Sequence, residues 1–155
     1  MDKDSYRRAK EALKAQDYKM AERAFELTLD SIDENHHEYN LVQSFYGLTQ
    51  VMSTNKHGVL RCRDAAGEEI KNGDTFLILA CAEWSSNNRK RAIDALQYGI
   101  KIDPNHKLLI RASSLECRKQ WCISFLSRNH KINCWIGRIM RRPPDKVITI
   151  HDLLY

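Results

Sequence analysis

Apolar residues recur along most of this chain at the three- and four-residue spacing of an amphipathic helix. The first such segment, 4–15, carries Tyr6, Ala9 and Leu13, with Asp2 or Asp4 as candidate N-caps. Further helices are predicted at 18–31, 38–53, 59–71, 75–86, 89–101 and 106–120. Glycine and proline number only 6 and 3, so few tight turns are available. The pattern therefore predicts an all-α protein.

Three pairs of these helices share a spacing of residues. Helix–turn–helix units start near 2, 39 and 73, a period of about 34–37 residues. The clearest unit ends in RKRAIDALQYGIKIDP, with small, large, small and proline positions at Ala92, Leu96, Gly99 and Pro104. Ala21 and Phe25 repeat the A-x3-F spacing, and Phe76, Leu79 and Ala80 match a W-x2-L-G half-motif. Together they resemble the tetratricopeptide repeat family.

The resemblance implies a right-handed superhelix of about three helical hairpins with C-terminal capping helices, over residues 1–120. It also implies a non-catalytic adaptor or scaffold that binds a peptide segment or partner protein on its concave face. The positions carried over to that face are Tyr6, Lys10, Gln43, Leu77 and Trp84. Trp84 is the main candidate, because aromatic anchors dominate interface energies. Complete burial of Trp84 would exclude it.

One subtype of the family clamps a C-terminal carboxylate with Lys and Asn side chains. The helix Thr75–Trp84 contains no Lys, Arg or Asn, so we do not expect that subtype. The last position of its half-motif, usually tyrosine, falls on Glu83.

Several turn and helix positions carry local predictions. Gln16-Asp17-Tyr18 resembles the Gly-Asp-Tyr turn of the family, with Gln16 in place of glycine and Asp17 as an N-cap. Gly47 would let two helix backbones approach. Asn72-Gly73 would end a helix with Gly73 in the left-handed region, and Asp74 would cap the next helix. Four side chains are expected to face water: Arg61, Arg63, Glu68 and Glu69.

The C-terminal part, residues 121–155, departs from the repeat pattern. Residues 1–100 hold 14 Lys/Arg and 16 Asp/Glu, whereas residues 101–155 hold 11 and 4. A basic amphipathic helix is predicted at 132–142, with Trp135 on its apolar stripe and Arg138, Arg141 and Arg142 off it. Two interpretations remain open. The stripe seals the end of the repeat array, or segment 121–142 docks on an anionic membrane or acidic partner, which would make the protein a peripheral membrane adaptor.

The rest of the sequence gives no indication of a metal, cofactor or catalytic site. The six histidines and five cysteines show no metal-ligand spacing, and no catalytic motif or cofactor loop is present, so we predict no metal, no cofactor and no catalysis. No nucleic-acid motif accompanies the basic residues. The odd cysteine count and the charged N-terminus favour reduced thiols and a cytoplasmic location. Three repeats are near the minimum for stability, so a homodimer through an uncapped end is a further expectation.

Overall fold

The computed structural model describes residues 2–55 and 57–116, which form seven α-helices and no β-strand. The all-α class is therefore confirmed for this part of the chain. The first six helices begin and end within three residues of the predicted bounds. They are α1 (Lys3–Lys14), α2 (Tyr18–Asp30), α3 (Tyr39–Met52), α4 (His57–Glu68), α5 (Gly73–Ser85), α6 (Arg89–Ile102) and α7 (Lys107–Glu116). The predicted helix 132–142 lies outside the described residues.

The helices pack as three consecutive hairpins followed by one more helix. The hairpins are α1–α2, α3–α4 and α5–α6. Each later hairpin contacts the preceding one through its own first helix: α3 packs on α2, and α5 packs on α3 and α4. Helix α7 continues this order by packing on α5 and α6.

The same turn joins the two helices of every hairpin. Gln16, Thr54 and Asn87 have positive φ angles of 60°, 70° and 62°, and no other non-glycine residue of the described segments does. In the first hairpin, the amide of Asp17 donates to the carbonyl of Ala12 at 3.0 Å. The equivalent i to i−5 bond follows Thr54 and Asn87 as well. This is the Schellman ending of a helix, here without its usual glycine.

Alignment of the three hairpin sequences on these left-handed residues places their core residues at equivalent positions. The position seven residues before the turn is always small, and the position five residues after it is small or β-branched. All six are buried: Ala9, Gly47, Ala80, Ala21, Val59 and Ala92. The three hairpins are thus equivalent in register, although their sequences differ.

Gly47 and Gly58 bring the backbones of α3 and α4 close together. A Cβ atom on Gly47 would lie 2.7 Å from the Sγ of Cys62 and from the carbonyl oxygen of Gly58. Gly58 in turn lies against the carbonyl oxygen of Gly47. The predicted close approach at Gly47 is therefore confirmed, and it joins α3 to α4.

An aromatic cluster fills the space between the first two hairpins. The rings of Phe25 and Phe45 are stacked with centroids 5.8 Å apart. Tyr6 meets both rings edge-on, at 6.3 and 6.5 Å. A second cluster, around Leu77, Leu96 and Leu109, joins α5, α6 and α7.

The helix caps follow the predictions in part. Asp2 caps α1, and Asp17 caps α2 by accepting the amide of Met20 at 3.1 Å. The predictions for the start of α5 were wrong. Asn72 is the cap, accepting the amide of Asp74 at 2.9 Å, and Gly73 is the first helical residue with no positive φ. Gly73 is required there because a Cβ would lie 2.8 Å from His106, beside α7.

Candidate partner-binding surface

The shared register identifies a surface along the first helices of the hairpins. Positions six, three and two residues before each left-handed residue lie on one face of α1, α3 and α5. Six of these nine residues are half-exposed, whereas Leu13 and Leu48 are buried and Ser85 is exposed. We call the half-exposed set the first-helix surface: Lys10, Lys14, Val51, Met52, Cys81 and Trp84.

Trp84 is the largest side chain of this surface. It is half-exposed, so the burial that would have excluded it is not observed. The guanidinium of Arg89 lies 5.3 Å from the centre of the indole ring. This cation–π contact orients a broad apolar side chain while leaving part of it accessible to a partner.

Tyr6 and Lys10 form a contact of their own on α1. The ammonium of Lys10 lies 4.8 Å from the centre of the Tyr6 ring. Burial raises the pKa of Tyr6 to about 12, and the carboxylates of Glu38 and Asp74 act in the same direction. Tyr6 is therefore a neutral part of the aromatic cluster, and its main contacts are structural. Lys10 remains at the edge of the surface.

Besides Tyr6, two of the predicted positions do not belong to this surface. Leu77 is only 1% exposed and packs in the second cluster, so it cannot reach a partner. Gln43 is half-exposed, but it occupies the aligned position of Phe76. Phe76 points to its own second helix, with its ring 5.2 Å from that of Tyr98. By the same register, we expect Gln43 to lie on the side of α3 that faces α4.

A buried ion pair holds α5 on α4 directly beside Trp84. The carboxylate of Glu83 accepts two hydrogen bonds from Arg63, at 2.6 Å from Nε and 3.0 Å from Nη2. Glu83 is 2% exposed and Arg63 is 31% exposed. The hydrogen bonds that Arg63 donates to Glu83 raise the pKa of the Arg63 guanidinium. The prediction that Arg63 faces water was therefore wrong.

The register explains this pair. Arg63 occupies the position that holds Phe25 and Leu96 in the other hairpins, nine residues after the turn. Glu83 occupies the position of the expected tyrosine. A bidentate ion pair between α4 and α5 thus occupies a position where the other two hairpins have an apolar side chain. Its two parallel hydrogen bonds require a defined orientation of Arg63 relative to Glu83.

Glu69 is a second side chain predicted to face water that the fold buries. Its Oε1 accepts the backbone amides of Ile70, Lys71 and Asn72, at 2.9 to 3.1 Å. It therefore organises the loop between the second and third hairpins.

One group of side chains in the described residues could offer metal ligands. Donor atoms of His36, His37 and Glu38 lie within 4.8 Å of one another. However, Nδ1 of His36 accepts the backbone amide of Glu38 at 3.2 Å. An imidazole that binds a metal through Nε2 carries its proton on Nδ1, so binding would break this bond. We assign no metal site to this loop.

Neither of the described cysteines, Cys62 and Cys81, forms a disulfide. Cys62 is buried, and its thiol donates to the carbonyl oxygen of Ser44 at 3.4 Å. Burial raises the pKa of Cys62 to about 12. Because thiolate is the reactive species, Cys62 is unsuited to nucleophilic chemistry.

Comparison of the chain with family models, with curated protein sequences and with solved structures gave no match. Among the described helices, none combines the length and the apolar composition that a bilayer crossing requires. The proposed membrane or acidic-partner residues, Trp135, Arg138, Arg141 and Arg142, lie outside the described residues.

Proposed function

We propose that this chain is a tetratricopeptide-like array that acts as a non-catalytic, cytoplasmic protein-interaction module. The observation that carries the proposal is the turn repeated at Gln16, Thr54 and Asn87, with the small core residues in the same register around it. A repeat that packs only on its neighbours leaves one continuous row of first helices. Such rows serve as binding surfaces for extended segments of other proteins.

The first-helix surface favours a peptide segment or a partner protein as the ligand. Val51, Met52 and Trp84 offer half-exposed apolar area, and Met adapts to varied partners. Lys10 and Lys14 border it on α1. A small set of apolar anchors with a polar rim is the usual composition of a protein interface.

Selection of peptides from a random display library against the full chain tests this proposal. Selected peptides would then be measured against Trp84→Ala and Ser85→Arg. Ser85 is exposed at the edge of the surface, so arginine there obstructs binding without removing core packing. Asp94→Arg, on an exposed position of α6, is the matched control.

We expect both surface variants to weaken peptide binding by tenfold or more, and the control to leave it unchanged. Thermal melting of each variant separates loss of binding from loss of folding. Peptides that bind all three variants as well as the wild type would refute the assignment of this surface.

A further inference from the structure

The outward face of α2 carries two large apolar side chains in water. Met20 is 63% exposed and Leu27 is 62% exposed. They stand seven residues apart, which places them on one stripe of the helix. The opposite face packs on α1 and α3 through the buried residues Ala21, Phe25 and Thr28. Helix α2 therefore has one covered face and one apolar stripe that nothing in the described residues covers.

The exposed charges around this stripe are separated by sign along the helix. Lys19 and Arg23 lie beside Met20, and Glu26 and Asp30 lie beside Leu27, all on the same side of the stripe. All four are exposed. Each pair consists of like charges four residues apart, an arrangement that destabilises an isolated helix.

The order of the exposed charges along α2 also opposes the helix dipole. Acidic residues stabilise the N-terminal turn of a helix and basic residues the C-terminal turn. Helix α2 has no acidic residue in its first turn and no basic residue in its last turn. After the cap Asp17, its exposed charges run in the opposite sense, basic first and acidic last.

We propose that this face binds the same face of a second copy of the chain, with the two α2 helices antiparallel about a two-fold axis. Met20 then packs near Leu27 of the second copy. Lys19 and Arg23 face the second copy's Glu26 and Asp30. A two-fold interface requires a surface that complements itself, and opposite charges at the two ends of one stripe satisfy this condition.

Other occupants fit this face less well. A parallel copy would set like charges against each other. An anionic membrane would attract the basic half but repel Glu26 and Asp30. The antiparallel copy neutralises both halves at once, and it also offsets the unfavourable dipole arrangement.

The contact area sets the expected strength. A helix of 13 residues is roughly 20 Å long, so one helix pair falls at the small end of the range of specific interfaces, below about 1,200 Å². A weak, reversible dimer is therefore expected. Because this face lies outside the first-helix surface, the dimer would present two copies of that surface.

Sedimentation equilibrium of the full chain with three double variants tests the proposal. The acidic variant is Lys19→Glu/Arg23→Glu, and the basic variant is Glu26→Lys/Asp30→Lys. The control is Lys90→Glu/Arg91→Glu, a matched charge change at exposed positions of α6. All substituted side chains are exposed, and circular dichroism at each step establishes that the helices form.

We expect the wild type and the control to dimerise, each charge variant alone to associate at least tenfold more weakly, and an equimolar mixture of the two to regain association as a heterodimer. Leu27→Ser should weaken the dimer without changing charge. A wild type that stays monomeric, or variants that associate equally well alone and mixed, would overturn the proposal.

Discussion

The contact between Gly47 and Gly58 makes a sharp prediction about α4. Helix propensity alone predicts that alanine at Gly58, in the first turn of α4, stabilises the helix by roughly 0.5 kcal/mol. The packing of α4 against α3 predicts the opposite effect, a loss of stability. A Cβ on Gly58 would lie 2.8 Å from the backbone nitrogen of Val51 and closer still to the carbonyl oxygen of Gly47. Carbon atoms in contact normally stand about 3.5–4.0 Å apart, so the two helix backbones would have to separate.

The size of the expected destabilisation depends on which atoms have to move to make room for the Cβ atom. Overpacking in a core costs about 1–3 kcal/mol where flexible side chains can adjust, and more where they cannot. The atoms facing Gly58 are mainly backbone, so the upper part of that range applies. After the gain in propensity, Gly58→Ala should destabilise the chain by about 2 kcal/mol. For a chain of this length, the melting temperature should fall by roughly 4–8 °C.

Gly67 provides the matched control on the same helix. A Cβ there would meet nothing within 4 Å. Gly67→Ala should therefore stabilise, by roughly 0.5 kcal/mol because the position lies in the last turn. Urea unfolding followed by circular dichroism measures both variants. If Gly58→Ala proves as stable as Gly67→Ala, the α3–α4 contact described above is wrong.

Three further predictions concern the turns between helices, the Arg63–Glu83 ion pair and the stability of the fold at alkaline pH. Thr54→Gly should stabilise by about 0.5–1 kcal/mol, because a β-branched residue gains most from relief of the left-handed conformation, and Asn87→Gly should gain less in the same urea titration. Arg63→Leu should cost about 3 kcal/mol by leaving the Glu83 carboxylate buried and unpaired, whereas adding Glu83→Leu should recover most of that loss in chemical denaturation. If the double variant is no better than the single one, burial of the lone carboxylate is not the cause. Tyr6 ionises at about 12 in the fold against an ordinary pKa of 10.0, so its contribution is complete below pH 10 and is lost as the pH rises towards 12. Melting temperatures of Tyr6→Phe between pH 8 and 11 should decline less steeply than those of the wild type.

The sequence predicted the local features because their causes are local. Helix bounds follow from the spacing of apolar residues, and Asp17 caps α2 with an oxygen only three residues from the amide that it accepts. Trp84 is half-exposed, as its predicted place on a binding surface requires, and the third hairpin has the clearest apolar spacing. The second hairpin does not show it, because Arg63 stands at a core position and breaks the apolar period.

The prediction included Leu77, which the fold buries, and it did not include the half-exposed residues Val51, Met52 and Cys81. One signal in the sequence could have found them. Each turn carries an Asp or Asn directly after the left-handed residue, at Asp17, Asn55 and Asn88. Alignment on those three residues gives the register that apolar spacing alone did not.

By itself, the sequence determined the all-α class, the six helices of the hairpins and the N-caps of α1 and α2, since these depend on interactions within a few residues. The tertiary structure alone decided which polar residues are buried. Glu83 is acceptable inside because Arg63, 20 residues earlier, reaches it from another helix. Gly47 and Gly58 are needed because two backbones meet there. Residues so far apart in sequence produce no periodic pattern that would reveal their contact. They meet only because the helices pack against each other.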